Sequence, residues 1–550
     1  MSLPKFNWQR KLFGLQENSR QLYAADDKYR LFASKIFPLL LSVRSQLSAC
    51  YCENNGRPGI EPVILLGISL LQYLERVPDR EAIEQLKYHL GWNIALGREI
   101  GDDLFHSTTL VRFRQRMVEQ EQSKLAFDAV LSGLREAGLL REKKWQRLDS
   151  TNVLGMVAKM SQIECVRETI RLALEEIKQK VVEGSLPDWW DIMWERYVES
   201  KLDYQLSVAV LMEKQRLAGV DMLHLLNWLA GKEPAVSEGE KACLLKRVFK
   251  EYYRLKEGGE VETIPGQERV VTAVHNPHDP GAEWSAKGHG QQKKTWVGYK
   301  VQVAETIGED PLSSGEPTNN FITAIETQTA TSSDEAGKKQ VEEAQQDSQL
   351  APPEEWYVDA AYVSAGELAL AEKNGQQLWG SAQPSASAKG VEFKADAFEV
   401  NIEDRKAICP AGKCSTQCSR LEEKQSGKVT FRFEWNWHCK GCELAKRCIS
   451  RGIKYRSLVV GEHHTLLQRR RKEMKTAEFK KKMQRRNGIE GTHSELIRGH
   501  GLRQARYRGI KKVRLQNYLI GAACNIKRWT NRLKWEIKSR AMVECFPGTV

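Results

Sequence analysis

The sequence contains no long apolar run. No stretch of its 550 residues reaches the roughly 18 consecutive apolar residues that a membrane-spanning helix needs. Segment 1–7 lacks the apolar core of a signal peptide. Convincing internal repeats and extended low-complexity segments are also absent, which argues against a repeat architecture. We therefore expect a soluble, intracellular protein that has no membrane partner.

Acidic residues are scarce near the C-terminal end. Residues 451–550 contain 26 Lys and Arg against seven Glu, a balance of +19. The formal net charge of the whole chain is +13, so the first 450 residues are slightly acidic, at −6. This asymmetry predicts a basic surface in the C-terminal part and an acidic polymer as its partner.

The length allows about three to five domains of roughly 100–200 residues each. Apolar periodicity predicts helices within residues 28–137 and again within 161–257. Strands are predicted at 145–153, 296–305, 321–327 and 377–380, and one more strand is predicted to end at Asp359. Helices are predicted at 334–349, 366–374 and 513–526. Two hairpin-like strands followed by alternating strands and helices favour an α/β fold with a mixed sheet.

The third helix of the N-terminal part carries three arginines. It begins near His106, and Arg112, Arg114 and Arg116 follow within it. Three short helices with an arginine-bearing last one suit a helix-turn-helix-like module that contacts DNA. Many helical bundles share this pattern, so a bundle with a purely structural role is the alternative.

Three carboxylates stand at the edges of predicted elements. Asp149 and Asp359 each follow an apolar strand segment, and adjacent strands would bring both acids to one edge of the sheet. Glu490 would then arrive from a helix, with Arg486 on the same face four residues earlier. Carboxylates suit hard divalent ions, and two such ions roughly 3.5–4 Å apart serve phosphodiester cleavage. Alternatively, each acid is a helix cap or an ion-pair partner.

Six of the 12 cysteines lie between Cys409 and Cys448. In a reducing compartment such a cluster is more typical of metal binding than of disulfides. Four thiolates around Zn²⁺, at Zn–S distances of roughly 2.3 Å, would form a closed structural site. The cluster offers six candidates for four places, and reduced, unliganded thiols are the alternative.

Several segments resemble bacterial insertion-sequence transposases of the DDE type. The acidic segments 148–152, 358–362 and 486–492, with 500–509 after them, are similar to the catalytic blocks of that family. Segments 54–58 and 106–114 resemble its N-terminal helical domain. The segment that leads into its second strand is resembled by residues 275–280, Trp284, Lys287 and 298–300. The likeness extends over most of the chain.

The resemblance implies a ribonuclease H-like catalytic fold. Asp149, Asp359 and Glu490 would bind two Mg²⁺ or Mn²⁺ ions, water would be activated to cut the element's ends, and the freed 3′ hydroxyl would attack target DNA. Similar transposases carry their zinc-binding cysteines before the final Glu, which favours Cys409, Cys439, Cys442 and Cys448 as ligands of a structural Zn²⁺. The residues expected to contact DNA are Arg112, Arg114, Arg116, Lys287, Arg486, Arg498, Arg503, Arg506, Arg508, Lys511, Lys512 and Arg514.

Two departures from the family pattern surround the final acid. Related transposases have a Tyr three residues before the Arg that precedes Glu, whereas this chain has Met483. The basic residue expected seven positions after the Glu is displaced by one, because Ile497 stands before Arg498. Glu495 is therefore the alternative to Glu490.

The expected organisation has four parts. Residues 1–140 would form an all-α DNA-binding domain. Residues 141–390 would form the first part of a ribonuclease H-like mixed sheet, with a helical insertion at 160–260. Residues 391–460 would form a small zinc-binding insertion, and residues 461–550 a basic helical part that completes the catalytic core. The resemblance implies a cytoplasmic, nucleoid-associated bacterial protein. It would bind terminal inverted repeats and target DNA as a homodimer in the synaptic complex. The alternatives are a catalytically inactive DNA-binding derivative and a nuclease of similar fold that performs no strand transfer.

Overall fold

The computed structural model describes most of the chain. The described residues are 1–5, 14–52, 56, 58–102, 104–140, 144–201, 207–288, 293–308, 316–317, 319–385, 391–423, 427 and 429–545. Asn54, Asn55 and Arg57 of the segment 54–58 lie outside them.

Helices make up the N-terminal part, as the apolar periodicity predicts. They are α1 (Leu15–Leu22), α2 (Lys28–Leu31), α3 (Phe37–Ser42), α4 (Arg44–Leu47), α5 (Pro62–Glu75), α6 (Asp79–Tyr88), α7 (Leu90–Ala95), α8 (Thr108–Glu119) and α9 (Leu125–Glu136). Helix α5 is apolar on every side, and 12 of its 14 residues are buried. A helix of this composition belongs in a core, and α3, α4, α6 and α8 pack against it. Within the described part of the chain, no helix has the length and apolarity to span a membrane.

A long strand, β1 (Trp145–Leu154), precedes a mainly helical insertion. The insertion contains α10 (Gln162–Lys180), α11 (Trp190–Trp194), α12 (Val208–Ala230), α13 (Pro234–Ser237), α14 (Glu240–Tyr252) and a hairpin of β2 (Tyr253–Leu255) and β3 (Val261–Thr263). These elements bury their own apolar cluster, which includes Trp190, Met222 and Leu245. The helical content predicted for 161–257 is confirmed.

The remaining strands of the main sheet follow the insertion, together with two helices. They are β4 (Glu283–Lys287), β5 (Lys294–Thr306), β6 (Ile322–Thr329), α15 (Asp334–Asp347), β7 (Glu355–Val358), α16 (Ala365–Lys373) and β8 (Gln377–Trp379). The strands lie in the order β6-β5-β1-β7-β8, and β4 pairs with the first residues of β5. Strands β6, β5 and β1 are antiparallel neighbours, whereas β1, β7 and β8 run parallel. The predicted mixed sheet is therefore confirmed.

The cysteine-rich region adds small sheets. It contains β9 (Glu399–Asn401), β10 (Lys406–Ile408), β11 (Gln417–Glu422), β12 (Val429–Glu434), α17 (Ala445–Cys448) and β13 (Ser457–Gly461). The order β11-β12-β13 forms one antiparallel sheet, and β9 pairs with β10. Phe398, Phe433 and Trp435 form its separate core. The sequence analysis did not predict these short strands.

Four helices complete the chain: α18 (His464–Glu473), α19 (Ala477–Met483), α20 (Gly488–His500) and α21 (Ile510–Cys545). Helix α21 packs against β6, α5 and α9, and it is much longer than the predicted helix at 513–526. Asn525 accepts a hydrogen bond from the backbone N–H of Ile322 and donates one to its carbonyl. One continuous core therefore joins the N-terminal helices, one face of the sheet and α21. The expected boundary at residue 140 does not separate two hydrophobic cores.

Candidate active site

Asp149 and Asp359 lie side by side where the pairing between strands β1 and β7 ends. Strands β1 and β7 are parallel, and Leu148 pairs with Val358. Each aspartate is the next residue after this pair, and neighbouring strands lie about 4.8 Å apart. The strand register therefore brings together two carboxylates that are 210 positions apart in the sequence.

A local hydrogen bond orients each aspartate. The backbone N–H of Ser150 donates to Asp149 Oδ1 at 2.7 Å, and that of Ala360 donates to Asp359 Oδ1 at 2.8 Å. The Asp149 side chain is 19% exposed and that of Asp359 51% exposed. Burial raises the pKa of Asp149, and the charge of Asp359 adds to this rise, while the hydrogen bond from Ser150 opposes it.

Glu490 joins the two aspartates from a separate element. It is exposed in the first turn of α20, and all three acids line one cleft of about 740 Å³. Glu495 does not enter this cleft, because it is ion-paired with Lys527 at 3.0 Å and Arg528 at 2.9 Å. The geometry therefore favours Glu490 over its alternative as the third acid.

Arg486 lies between the two aspartates. Its Nη1 is 3.5 Å from Asp149 Oδ2, and its Nη2 is 3.6 Å from Asp359 Oδ1. Both distances exceed those of good hydrogen bonds, and Nη1 has no hydrogen-bond partner. The guanidinium thus offsets part of the negative charge of the carboxylate pair and leaves the carboxylate lone pairs largely unused.

A buried ion cluster fixes α20 against β1. The Glu305 side chain on β5 is fully buried, and it accepts hydrogen bonds from Arg147 at 2.6 Å and Arg528 at 2.8 Å. The Thr492 hydroxyl, two residues after Glu490, donates to the same carboxylate at 2.7 Å. Residues of β1, β5, α20 and α21 therefore meet at one carboxylate.

Arg147 also reaches the start of α20. Its Nη1 donates to the carbonyl of Arg485 at 3.0 Å. A Cβ added at Gly488 would lie only 1.9 Å from the same Nη1, so this close approach requires glycine. Because Arg147 precedes Asp149 by two residues, one side chain couples the position of the aspartate to that of Arg486 and Glu490.

Some residues predicted to contact DNA line the cleft or are exposed, and others form contacts within the fold. Lys287, Arg486, Arg498 and Arg503 line the cleft, and Arg112, Arg508, Lys511 and Lys512 are exposed. Arg506 and Arg514 instead donate to the carbonyls of Val77 and Thr327, and Arg116 lies over the ring of Tyr51 at 4.4 Å. Arg503 lines the cleft and also forms a contact within the fold, since it donates to the Asn152 carbonyl at 2.7 Å.

Arg114 requires a correction. Its side chain is only 6% exposed, forms an ion pair with Asp79 and lies over the ring of Tyr507 at 5.3 Å. The Tyr507 hydroxyl in turn contacts that of Tyr73 at 3.3 Å. Arg114 therefore stabilises the packing of α8 and has no surface open to a phosphate, which removes it from the expected DNA surface.

The structure separates the six clustered cysteines into two groups. Cys409, Cys439, Cys442 and Cys448 line one small cavity, which Cys414 and Cys418 do not reach. Burial raises the pKa of the Cys439 and Cys448 thiols, so both are protonated at neutral pH when no metal is bound. The backbone N–H of Arg456 donates to Cys439 Sγ at 3.4 Å.

Asp334, Trp296 and His493 are among the cleft residues that escaped the sequence analysis. Asp334, at the first position of α15, is 3.4 Å from Lys300 Nζ and accepts a hydrogen bond from Gln302 at 3.1 Å. Trp296 and His493 also line the cleft. A lone Trp on a strand and a lone His on a helix carry no diagnostic spacing, so only the tertiary structure reveals their location.

Comparison with known families gave two matches. Residues 17–116 match the model described as "Transposase domain (DUF772)", and residues 408–530 match that described as "Transposase DDE domain". The second match contains Glu490 and the four cavity-lining cysteines, whereas Asp149 and Asp359 lie outside both matches. No curated protein and no solved structure matched the chain.

We predict that Arg528→Met lowers the free energy of unfolding by about 3–5 kcal/mol, because it leaves Glu305 with one guanidinium in a buried site. Urea unfolding followed by circular dichroism measures the loss. Arg532→Met is the matched control, since Arg532 lies one turn later on α21, is 17% exposed and pairs with Glu316 and Glu536. Its expected cost is below about 1 kcal/mol. Equal losses of unfolding free energy in the two variants would show that the Glu305 cluster stabilises the protein no more than a partly exposed ion pair does.

Proposed function

We propose that this chain is a DDE transposase of a bacterial insertion sequence, which cuts DNA at the ends of its element and joins the freed 3′ hydroxyls to target DNA. The observation that carries the proposal is the convergence of Asp149, Asp359 and Glu490 in one cleft. Three separate segments supply these acids, and basic residues surround them.

The strand order supports a ribonuclease H-like catalytic fold. Three antiparallel neighbours (β6, β5 and β1) continue into two parallel strands (β7 and β8). The catalytic aspartates stand on the central strand and its parallel neighbour, and the helix α20 brings the third acid. We propose the cysteine-rich region, residues 391–460, as an insertion in this fold.

The donor set fits two Mg²⁺ or Mn²⁺ ions held by Asp149, Asp359 and Glu490. Carboxylate oxygens are the ligands that such hard ions prefer, and the Arg486 guanidinium already lies at a place that favours positive charge. When bound, a pair of divalent ions activates water and stabilises the leaving oxygen. Arg486 would release the two aspartates and turn its unpartnered Nη1 to a phosphate oxygen of the DNA.

The exposed basic residues would hold the DNA backbone near the acids. Lys287, Arg498 and Arg503 line the cleft, and Arg508, Lys511 and Lys512 extend the positive surface along the start of α21. Contacts of this kind supply affinity and strong salt dependence without reading the base sequence. The N-terminal helices, with Arg112 exposed on α8, would contact the terminal repeats. Joining two ends implies at least a dimer on DNA, and we propose a homodimer in the synaptic complex, located in the bacterial nucleoid.

We predict that Asp149→Asn, Asp359→Asn and Glu490→Gln each reduce cleavage of DNA carrying the element's ends by about 1,000-fold, since each removes a metal ligand worth several kcal/mol in the transition state. Gel assays with Mg²⁺ and Mn²⁺ measure the rates. Asp191→Asn, an exposed carboxylate of α11 outside the cleft, serves as the control and should cut as the wild type does.

Two results of the same assay favour the alternatives. A wild-type protein that binds the ends but never cuts them would be an inactive derivative. Cleavage without joined 3′ ends would identify a nuclease of similar fold. Products in which the element's 3′ ends are joined to target DNA support transposition over both.

We also propose that Cys409, Cys439, Cys442 and Cys448 hold a structural Zn²⁺. Four thiolates satisfy the tetrahedral preference of zinc and leave no open position, so the ion would stabilise the small sheets and take no part in catalysis. Binding would release protons from thiols whose pKa burial has raised.

We predict about one equivalent of zinc per purified chain and its loss in Cys439→Ser, because a hydroxyl is a poor substitute for a thiolate ligand. Elemental analysis and thermal unfolding of the region provide the two measurements. Cys414→Ser is the matched control, since Cys414 is exposed in the same region and does not reach the cavity. Retention of zinc by Cys439→Ser together with loss by Cys414→Ser would reassign the ligands.

A further inference from the structure

His493 lies in the catalytic cleft one helical turn after Glu490. Both residues belong to α20 and line the same cleft. Residues three apart on a helix share a face, so the imidazole and the carboxylate point to the same side. The neighbouring Thr492 is buried and bonds Glu305, which fixes the rotation of the helix.

Three residues that line the cleft have a buried polar atom without a partner, and one of these atoms is Trp296 Nε1. His493 Nε2 and Arg486 Nη1 both have no hydrogen bond among the described residues. Buried polar atoms are rarely left in this state, and where they are, an ion or ligand commonly completes them. Arg486 offers an N–H that requires an acceptor. The imidazole, protonated on its other nitrogen, offers a lone pair that requires a donor or a cation.

The surroundings of His493 keep its ring neutral. Burial lowers the pKa of His493 to about 4, and the nearby Arg503, Lys287 and Arg486 add to this effect, while Glu305 opposes it. A neutral imidazole retains a lone pair at physiological pH, as metal ligation requires. A protonated one would repel a divalent ion.

We propose that His493 is a nitrogen ligand of the divalent ion that Glu490 binds, so that the cleft prefers Mn²⁺ to Mg²⁺. This inference rests on the proposed metal-dependent function and adds one ligand to its three carboxylates. A Glu-x-x-His pair on one helix is a known arrangement for carboxylate-bridged transition-metal pairs. In di-manganese proteins of that kind an imidazole completes a carboxylate site, whereas Mg²⁺ strongly prefers oxygen. Arg486 would leave the carboxylates when the ions enter.

The test is pulsed electron paramagnetic resonance of Mn²⁺ bound to the full-length protein. We expect a ¹⁴N coupling in the wild type that changes to a ¹⁵N coupling when histidine alone is ¹⁵N-labelled. His493→Phe, which keeps a planar aromatic ring but has no ring nitrogen, should abolish the coupling. His463→Phe is the control, because His463 is 44% exposed, precedes α18 and does not line the cleft.

Metal affinity gives a second readout that needs no catalysis. In His493→Phe we expect Mn²⁺ binding to weaken by about tenfold and Mg²⁺ binding to change by less than about threefold. If His493→Phe does not fold, the isotope experiment on the wild type alone decides the proposal.

The outcomes separate this inference from the proposed function. Mn²⁺ that binds the wild type, is lost in Asp149→Asn and shows no histidine coupling would overturn the inference and leave the function intact. Failure of the wild type to bind Mn²⁺ in any manner that depends on Asp149 would overturn both. Equal weakening of Mn²⁺ and Mg²⁺ in His493→Phe would assign His493 a structural role only.

Discussion

The burial of one carboxylate, that of Glu305, governs the assembly of this protein. An ionised carboxylate without partners in a protein interior costs many kcal/mol, so the fold must bring it positive charge and hydrogen-bond donors. Arg147 of β1 and Arg528 of α21 supply the charge, and Thr492 of α20 supplies a hydroxyl. This cluster therefore ties together the sheet, the acid-bearing helix α20 and the helix α21. The same contacts hold the three cleft acids in relation to one another.

Much of the sheet follows from local sequence, whereas the choice of all three acids rests on family resemblance. Apolar strands that end in an acid predicted the positions of Asp149 and Asp359, because parallel neighbours with aligned registers place equivalent residues side by side. Periodicity could not place Glu490, since nothing local decides which face of a helix meets a distant sheet edge. Family resemblance supplied that residue. Ion pairing then distinguishes it from Glu495, a contact that only the folded chain reveals.

Arg114 shows why the charged residues were harder to predict than the apolar ones. An arginine in a basic helix has the same sequence pattern whether it faces solvent or a buried partner. Its partner, Asp79, lies on a different helix 35 positions earlier, so the pairing is a tertiary fact. The cysteines also depend on tertiary structure. Their spacing gives six candidate zinc ligands, and only the positions of the strands and turns show which four line one cavity.

Helix α21 supplies Arg528, which follows β1, β5 and α20 in the chain. A ribosome therefore releases Arg528 only after these elements have emerged. Until then the growing chain lacks one of the two guanidinium groups that bind Glu305, so α20 is held less firmly against the sheet. The two aspartates can meet through the pairing of β1 with β7, whereas the position of Glu490 depends on this later residue. The order of synthesis thus makes the third acid the last to be fixed in the cleft.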